Sequence, residues 1–91
     1  MDVLIRLYAS YREQAGQDRI ELKVSDGATV SDAIVELLAV APGLPREFRP
    51  HLIAVNEEFA NLVYPLSQGD DVAFYPPVSG GVDVDVGTSV I

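Results

Sequence analysis

Gly69-Asp70-Asp71-Val72-Ala73-Phe74-Tyr75-Pro76-Pro77-Val78-Ser79-Gly80-Gly81 is the stretch on which the reading of this chain turns. A Gly-Asp turn leads into a short apolar strand, Val72 to Tyr75, and two prolines then stop any ladder because they carry no N–H. Pro76-Pro77 favours an extended exit, and Gly80-Gly81 removes the side chains that would obstruct a narrow slot. A rigid strand followed by a slim strap has the shape of an end made for insertion. Pro-Pro and Gly-Gly also punctuate ordinary loops. What distinguishes this strap is its position, directly after the last strand of a complete small domain.

The rest of the composition bounds what that domain can be. Ninety-one residues make one domain with a single core, and 48% hydrophobic residues suit a folded globule rather than a disordered chain. Six basic residues against fourteen acidic ones leave a formal charge of -8, which disfavours nucleic acid and anionic membranes as partners and favours a basic protein. No apolar run is long enough to span a bilayer, and Met1-Asp2-Val3 lacks the basic start of a secretory signal, so a cytoplasmic location is expected. With no cysteine, disulfides, thiolate metal sites, iron–sulfur clusters and cysteine nucleophiles are excluded.

Working back to the start of the chain, Val3, Ile5 and Leu7 alternate with Leu4, Arg6 and Tyr8, as in a strand with one apolar face. Ser10 and Glu13 have capping-box spacing, and Gly16 closes a short helical turn. Ile20, Leu22 and Val24 alternate with Glu21 and Lys23, predicting a second strand paired with the first, and Ser25-Asp26-Gly27 is a turn. Thr29 and Asp32 form a further capping box. Behind it Val30, Ala33, Ile34, Leu37, Leu38 and Ala41 make one apolar stripe at helical spacing, ended by Pro42-Gly43. Residues 45–50 form a connector with a helical turn around Phe48. The apolar run Leu52-Ile53-Ala54-Val55 predicts a strand covered on both faces or central in the sheet. Asn56-Glu57-Glu58 reads as a polar turn, with Phe59, Leu62 and Val63 expected to pack and to supply a minor strand. The order strand, strand, helix, strand, short strand, strand predicts an α+β roll of the β-grasp kind, a mixed four- to five-stranded sheet with one main helix across it.

This body offers no convincing chemistry of its own. His51 has no second His or Cys with which to share a metal, so no metal site is expected, and the pairs Glu57-Glu58 and Asp70-Asp71 point to opposite sides of extended chain rather than converging. The serines lack a nucleophile-elbow context and the glycines form no phosphate-binding fingerprint. Arg6, Arg12, Arg19 and Lys23 are scattered, as surface salt links would be. The protein reads as something carried, docked or transferred.

Four stretches in this order carry a resemblance: Tyr8-Ala9-Ser10-Tyr11-Arg12-Glu13-Gln14-Ala15-Gly16, Gly27-Ala28-Thr29-Val30-Ser31-Asp32, Ala54-Val55-Asn56-Glu57-Glu58, and residues 66–81, which close on Pro-Pro-Val-Ser-Gly-Gly. Over residues 2–81 the chain resembles the small subunits of molybdopterin synthase (MoaD) and the related ThiS-like, ubiquitin-related sulfur carriers. That resemblance implies a carrier whose terminal glycine carboxylate is activated as an acyl-adenylate by an E1-like adenylating enzyme using ATP. It is then converted to a thiocarboxylate, whose sulfur goes to a pterin precursor in the large subunit of molybdopterin synthase. By motif Gly81 bears the thiocarboxylate, and Gly80, Ser79, Val78, Pro77 and Pro76 form the strap that binds in the partner's slot. No cofactor is held permanently, and ATP belongs to the activating partner. Docking is expected on the outer face of the sheet through Phe74 and Tyr75, with core packing the equal alternative for Phe74. Sulfur held on a chain end explains how such a carrier works without cysteine.

The sequence departs from this pattern at its end, because residues 82–91 follow Gly81 and an amide carbonyl cannot be adenylated. The expected division is residues 1–81 as the carrier domain and residues 82–91 as an extension removed by processing, for which a JAMM-type protease is the expected agent, or left disordered. Val82-Asp83-Val84-Asp85-Val86 alternates strictly, so a strand that masks Gly80-Gly81 is the other reading of this segment. A protein modifier, a carrier for thiamine, cysteine or tRNA thiolation, and a non-conjugating binding module are the alternatives.

Overall fold

A computed structural model describes residues 1–77, so Val78, Ser79, Gly80, Gly81 and the extension lie outside the described residues. The chain forms β1 (Asp2–Leu7), α1 (Ala9–Ala15), β2 (Arg19–Lys23), α2 (Val30–Val40), β3 (Leu52–Val55), β4 (Glu58–Ala60) and β5 (Asp71–Tyr75). The five strands make one mixed sheet in the order β2-β1-β5-β3-β4, the β-grasp roll expected from the sequence. β5 runs parallel to β1 and antiparallel to β3, so the last strand in sequence is the middle strand in space.

Period-two alternation decides which side of each strand is inside. Val3, Ile5 and Leu7 of β1, Ile20 and Leu22 of β2, Ile53 and Val55 of β3, and Val72 and Phe74 of β5 all turn to one face. α2 lays Val30, Ala33, Ile34 and Leu37 on that face, the stripe its spacing predicts. Its start is fixed by a complete capping box: Thr29 Oγ1 accepts the Asp32 N–H at 3.3 Å, and the Asp32 carboxylate accepts the Thr29 N–H at 2.9 Å. The segment after β4 seals the same end, with the Val30 and Ser31 N–H groups donating to the Tyr64 and Leu62 carbonyls.

Two expectations need correcting, the cap at Ser10 and the packing of Phe59 and Val63. Ser10 is not a cap: α1 begins after Tyr8, which makes no side-chain cap bond, and Ser10 lies inside the helix, although Gly16 does end it in the left-handed region at φ 81°. β3 lies inside the sheet between β5 and β4 and is buried from Ile53 to Val55 on both faces, as its unbroken apolar run predicts. Ala54 faces outward yet is buried because its side chain is short and its neighbours overhang it, while Leu52 is exposed. Phe59 and Val63 do not pack; Phe59 is 80% exposed and Val63 73% exposed.

The connector after α2 does bend around Phe48, whose N–H donates to the Pro45 carbonyl. Phe48 stands edge-on to both Tyr11 (ring centroids 4.8 Å apart) and Phe74 (5.9 Å), so α1, the connector and β5 share one aromatic column. The Tyr11 hydroxyl accepts the His51 N–H, and Gly43 lies so close to Gln14 that a Cβ there would overlap its carbonyl oxygen. Replacing Thr29 with Ala removes one arm of the capping box and should lower stability by about 1 kcal/mol, measured by urea denaturation with an unchanged slope.

Candidate functional site

The chain leaves the sheet at Tyr75, and the groups around that point are the candidate site. β5 holds Asp71, Ala73 and Tyr75 on the outer face, and Val72 and Phe74 on the inner one. Phe74, expected among the docking residues, is fully buried in the core, because it shares parity with Val72 and lies under Phe48. Tyr75 keeps the outward role. Its ring stacks on Tyr8 with centroids 4.7 Å apart and planes 8° from parallel, an arrangement worth about 0.5–1.5 kcal/mol beyond area burial. The Arg6 guanidinium sits 5.9 Å from the Tyr8 centroid, and its Nε donates to the Asp71 carboxylate at 2.9 Å. Pro76 is half-buried and Pro77 exposed, so the strap rises from a clamped root.

Beside this root the outer face is concave. Ala54 lies opposite both Ala73 and Phe59, and its short side chain floors a shallow depression of about 540 Å³. Arg6, Tyr8, Tyr75, Leu52, Phe59 and Glu57 wall it. Leu52 is 44% exposed, and with Phe59 and the two tyrosines it makes an apolar surface rimmed by one positive and one negative group. Sequence reading found Tyr75 but missed Tyr8, Leu52 and Phe59. The available signal was the two-residue turn: Asn56 (φ 51°) and Glu57 (φ 72°) both take left-handed backbone, which pairs Val55 with Glu58 and therefore Ala54 with Phe59.

The acidic pairs behave as spacing suggested. Asp70 turns inward, where its carboxylate accepts the Ser67 N–H at 2.8 Å and the Asn56 side-chain amide at 2.9 Å, whereas Asp71 turns outward to Arg6. Asn56 also accepts the Asp71 N–H, locking the β3–β4 turn to the start of β5. Asp70 is therefore structural. Arg6 and Lys23 form ion pairs, with Asp71 and Asp2 respectively. His51 is exposed, and among the described residues no group of three or more His, Cys, Asp or Glu side chains is placed to hold a metal. No described helix is long and apolar enough to cross a membrane.

Burial, and secondarily the neighbouring Tyr8, pushes the Tyr75 phenol above its ordinary value. The fold thus binds this proton more tightly than the unfolded chain does, so its contribution is complete below about pH 10 and is lost as pH rises through the raised value. Tyr75→Phe should remove one late step from the alkaline tyrosinate absorbance titration and blunt the alkaline fall in stability.

Comparison with known proteins places this geometry. The family model described as ThiS family matches residues 5–81, and ten residues of this sequence lie beyond that span. A molybdopterin synthase sulfur carrier subunit from Chlamydomonas reinhardtii is 33% identical over 86 residues, covering 89% of this chain and 100% of that protein. The crystal structure of small archaeal modifier protein 1 from Haloferax volcanii superposes with a TM-score of 0.79 at 31% identity, over 89% of this chain and 100% of that one. A chain from the complex of subunits 1 and 2 of the molybdopterin-converting factor of Helicobacter pylori superposes with a TM-score of 0.63 at 26% identity, over 89% of this chain and 100% of that one. With a family match that runs from the first strand to the second glycine of the strap, and a β-grasp sheet that superposes on its relatives, this chain belongs to the ThiS family of ubiquitin-like proteins.

Proposed function

We propose that this protein is a sulfur carrier, the small subunit of a molybdopterin synthase, and that Gly81 is its working residue once the Gly81–Val82 bond is opened. The observation that carries this reading is the clamped root at Tyr75, followed by six residues that complete the family span and end on Gly80-Gly81. Hydrolysis of that bond frees a carboxylate. The carboxylate oxygen attacks the α-phosphate of ATP on an E1-like adenylating enzyme, pyrophosphate leaves, and a hydrosulfide-equivalent donor then displaces AMP to give the thiocarboxylate. The carrier itself supplies no acid or base in these steps. Its task is to present a narrow chain end, and the catalytic groups belong to the partners.

The depression beside Tyr75 is the docking surface of this proposal. A large-subunit partner is supported by the Helicobacter pylori complex of subunits 1 and 2, one chain of which shares this fold. A partner covering the depression would bury Tyr8, Leu52, Phe59 and Tyr75 around the strap, and aromatic anchors beside a small-residue floor are where binding energy concentrates. A second reading, attachment of Gly81 to lysines of other proteins, is favoured by the likeness to small archaeal modifier proteins.

Two experiments test these roles. Incubated with the adenylating enzyme, ATP and a sulfur donor, the chain ending at Gly81 should gain the mass of an oxygen-to-sulfur exchange, and the 91-residue chain should not. A gain by the uncut chain refutes the proposed site, and higher-mass conjugates in cell extract in place of sulfuration favour the modifier. Phe59→Asp should weaken binding to the large subunit about 30-fold or more by calorimetry and leave the melting temperature within a degree or so, since the side chain is 80% exposed.

A further inference from the structure

α2 buries Val30, Ala33, Ile34 and Leu37 against the inner face of the sheet, so its other side looks away from the depression beside Tyr75. The exposed face of a surface helix is ordinarily polar. Here Val35 is 64% exposed, Ala39 is exposed one turn later, and Leu38 is half-buried beside them.

Val35 stands as a crest between two troughs of opposite character. On one side, Asp32 and Glu36, a turn apart on α2, line a hollow of about 380 Å³ together with Asp26 of the turn after β2. On the other, a trough of about 580 Å³ runs between α2 and the connector, and Leu38, Leu62, Arg46, Glu47 and Arg49 line it. Arg46 reaches into the next hollow as well, beside Ala39 and Pro42. The ion pairs among the described residues join Arg6 to Asp71, Lys23 to Asp2 and the amino terminus to Asp26. Asp32, Glu36, Arg46 and Arg49 take part in none of them.

A crest with an acidic flank and a basic flank complements itself in one orientation only. With a two-fold axis along α2, the acidic flank of each copy meets the basic flank of the other; with the axis across α2, acid meets acid. We propose that this face binds a second copy of the chain, α2 packing parallel on α2 about an axis along the helices, with Val35 and Leu38 in the seam and Arg46 facing Glu36 of the partner subunit. The levels agree. Arg46 borders Val35, Leu38 and Ala39, which bracket Glu36 along the helix, and rotation about an axis along α2 leaves each level unchanged. An apolar seam flanked by pairs of opposite sign is the arrangement that holds a parallel two-stranded coil. A charge of -8 on each copy opposes association through a face that lacks such pairing. One helix face with its flanks is smaller than the ~800 Å² per partner of a standard interface, so the dimer is weak and reversible. In it the two Tyr75 surfaces lie on the far sides, and both chain ends stay open to other proteins. That consequence rests on the function proposed above, but the pairing of helices does not.

Sedimentation equilibrium and NMR on dilution of the 91-residue chain test the pairing, with no partner enzyme present. The mass should rise toward that of two chains with a dissociation constant of about 0.1 mM. Resonances of Val35, Leu38 and Ala39 should move with concentration. Val35→Glu, Arg46→Glu and Glu36→Arg should each weaken association about ten-fold or more, with the melting temperature of the dilute protein unchanged. An equal mixture of the Arg46→Glu and Glu36→Arg chains should recover it, because opposite charges then meet on both flanks of the mixed dimer. A chain that stays monomeric up to about 1 mM overturns the proposal. So does a mixture that recovers nothing, and so do concentration-dependent shifts confined to Leu52 and Phe59. Because neither adenylation nor a large subunit is involved, a failure here leaves the sulfur-carrier reading standing, and a failure of sulfuration leaves this result standing.

Discussion

The parallel pairing of β5 with β1 is the constraint on which the molecule depends. Sixty-five residues separate Arg6 from Asp71, yet their side chains meet at 2.9 Å, and the β1–β5 ladder at this point holds the two halves of the sheet together. Until β5 is inserted, β1 with β2 and β3 with β4 are two hairpin-like pairs that share no backbone ladder, and isolated two-stranded pairs are marginal in water. Chain ends commonly fray. Here the residues just before the strap are flanked on both sides, and Phe74 is fixed from below by Phe48 as Tyr75 is from the side by Tyr8. A strap meant for a narrow slot gains from such a root, since less freedom remains to be lost on binding.

The two neighbouring aromatics divide the labour. Phe74 faces the core and holds the strand; Tyr75 faces outward and joins the surface that a partner would cover. The same parity separates Asp70, which locks the turn to Asn56, from Asp71, which pairs with Arg6. An average charge of -8 suggests a uniformly acidic surface, but the fold gathers Arg6, Arg12 and Arg19 near the chain's exit. Net charge governs encounter at a distance, and local charge governs orientation at contact, so a partner approaching the exit meets the opposite sign from one approaching Glu57.

Residues whose environment is set locally were legible in the sequence. The alternations of β1 and β2, the stripe of α2 and the Thr29–Asp32 box depend on spacing alone, and each is where the pattern put it. Residues whose role is set by pairing partners were not. Ser10 and Glu13 have the spacing of a cap, but the chain leaves β1 through a left-handed Ala9 and starts the helix earlier. Phe59 looks like core by composition, and only its register against Ala54 turns it outward. Ala54 looks like core and is in fact the floor of a surface depression, because buried and inward-facing are separate properties when the side chain is one carbon long.

Carrier and modifier readings share more than they dispute. Both begin with a free Gly81 carboxylate and its adenylate, and they part only at the nucleophile: sulfur in one case, a lysine amine in the other. On the proposed function, the stacked Tyr75 and Tyr8 and the depression beside them hold the root of the strap in both cases, so one acceptor is told from another by the surface at the chain's exit and not by the two glycines, which carry no side chains.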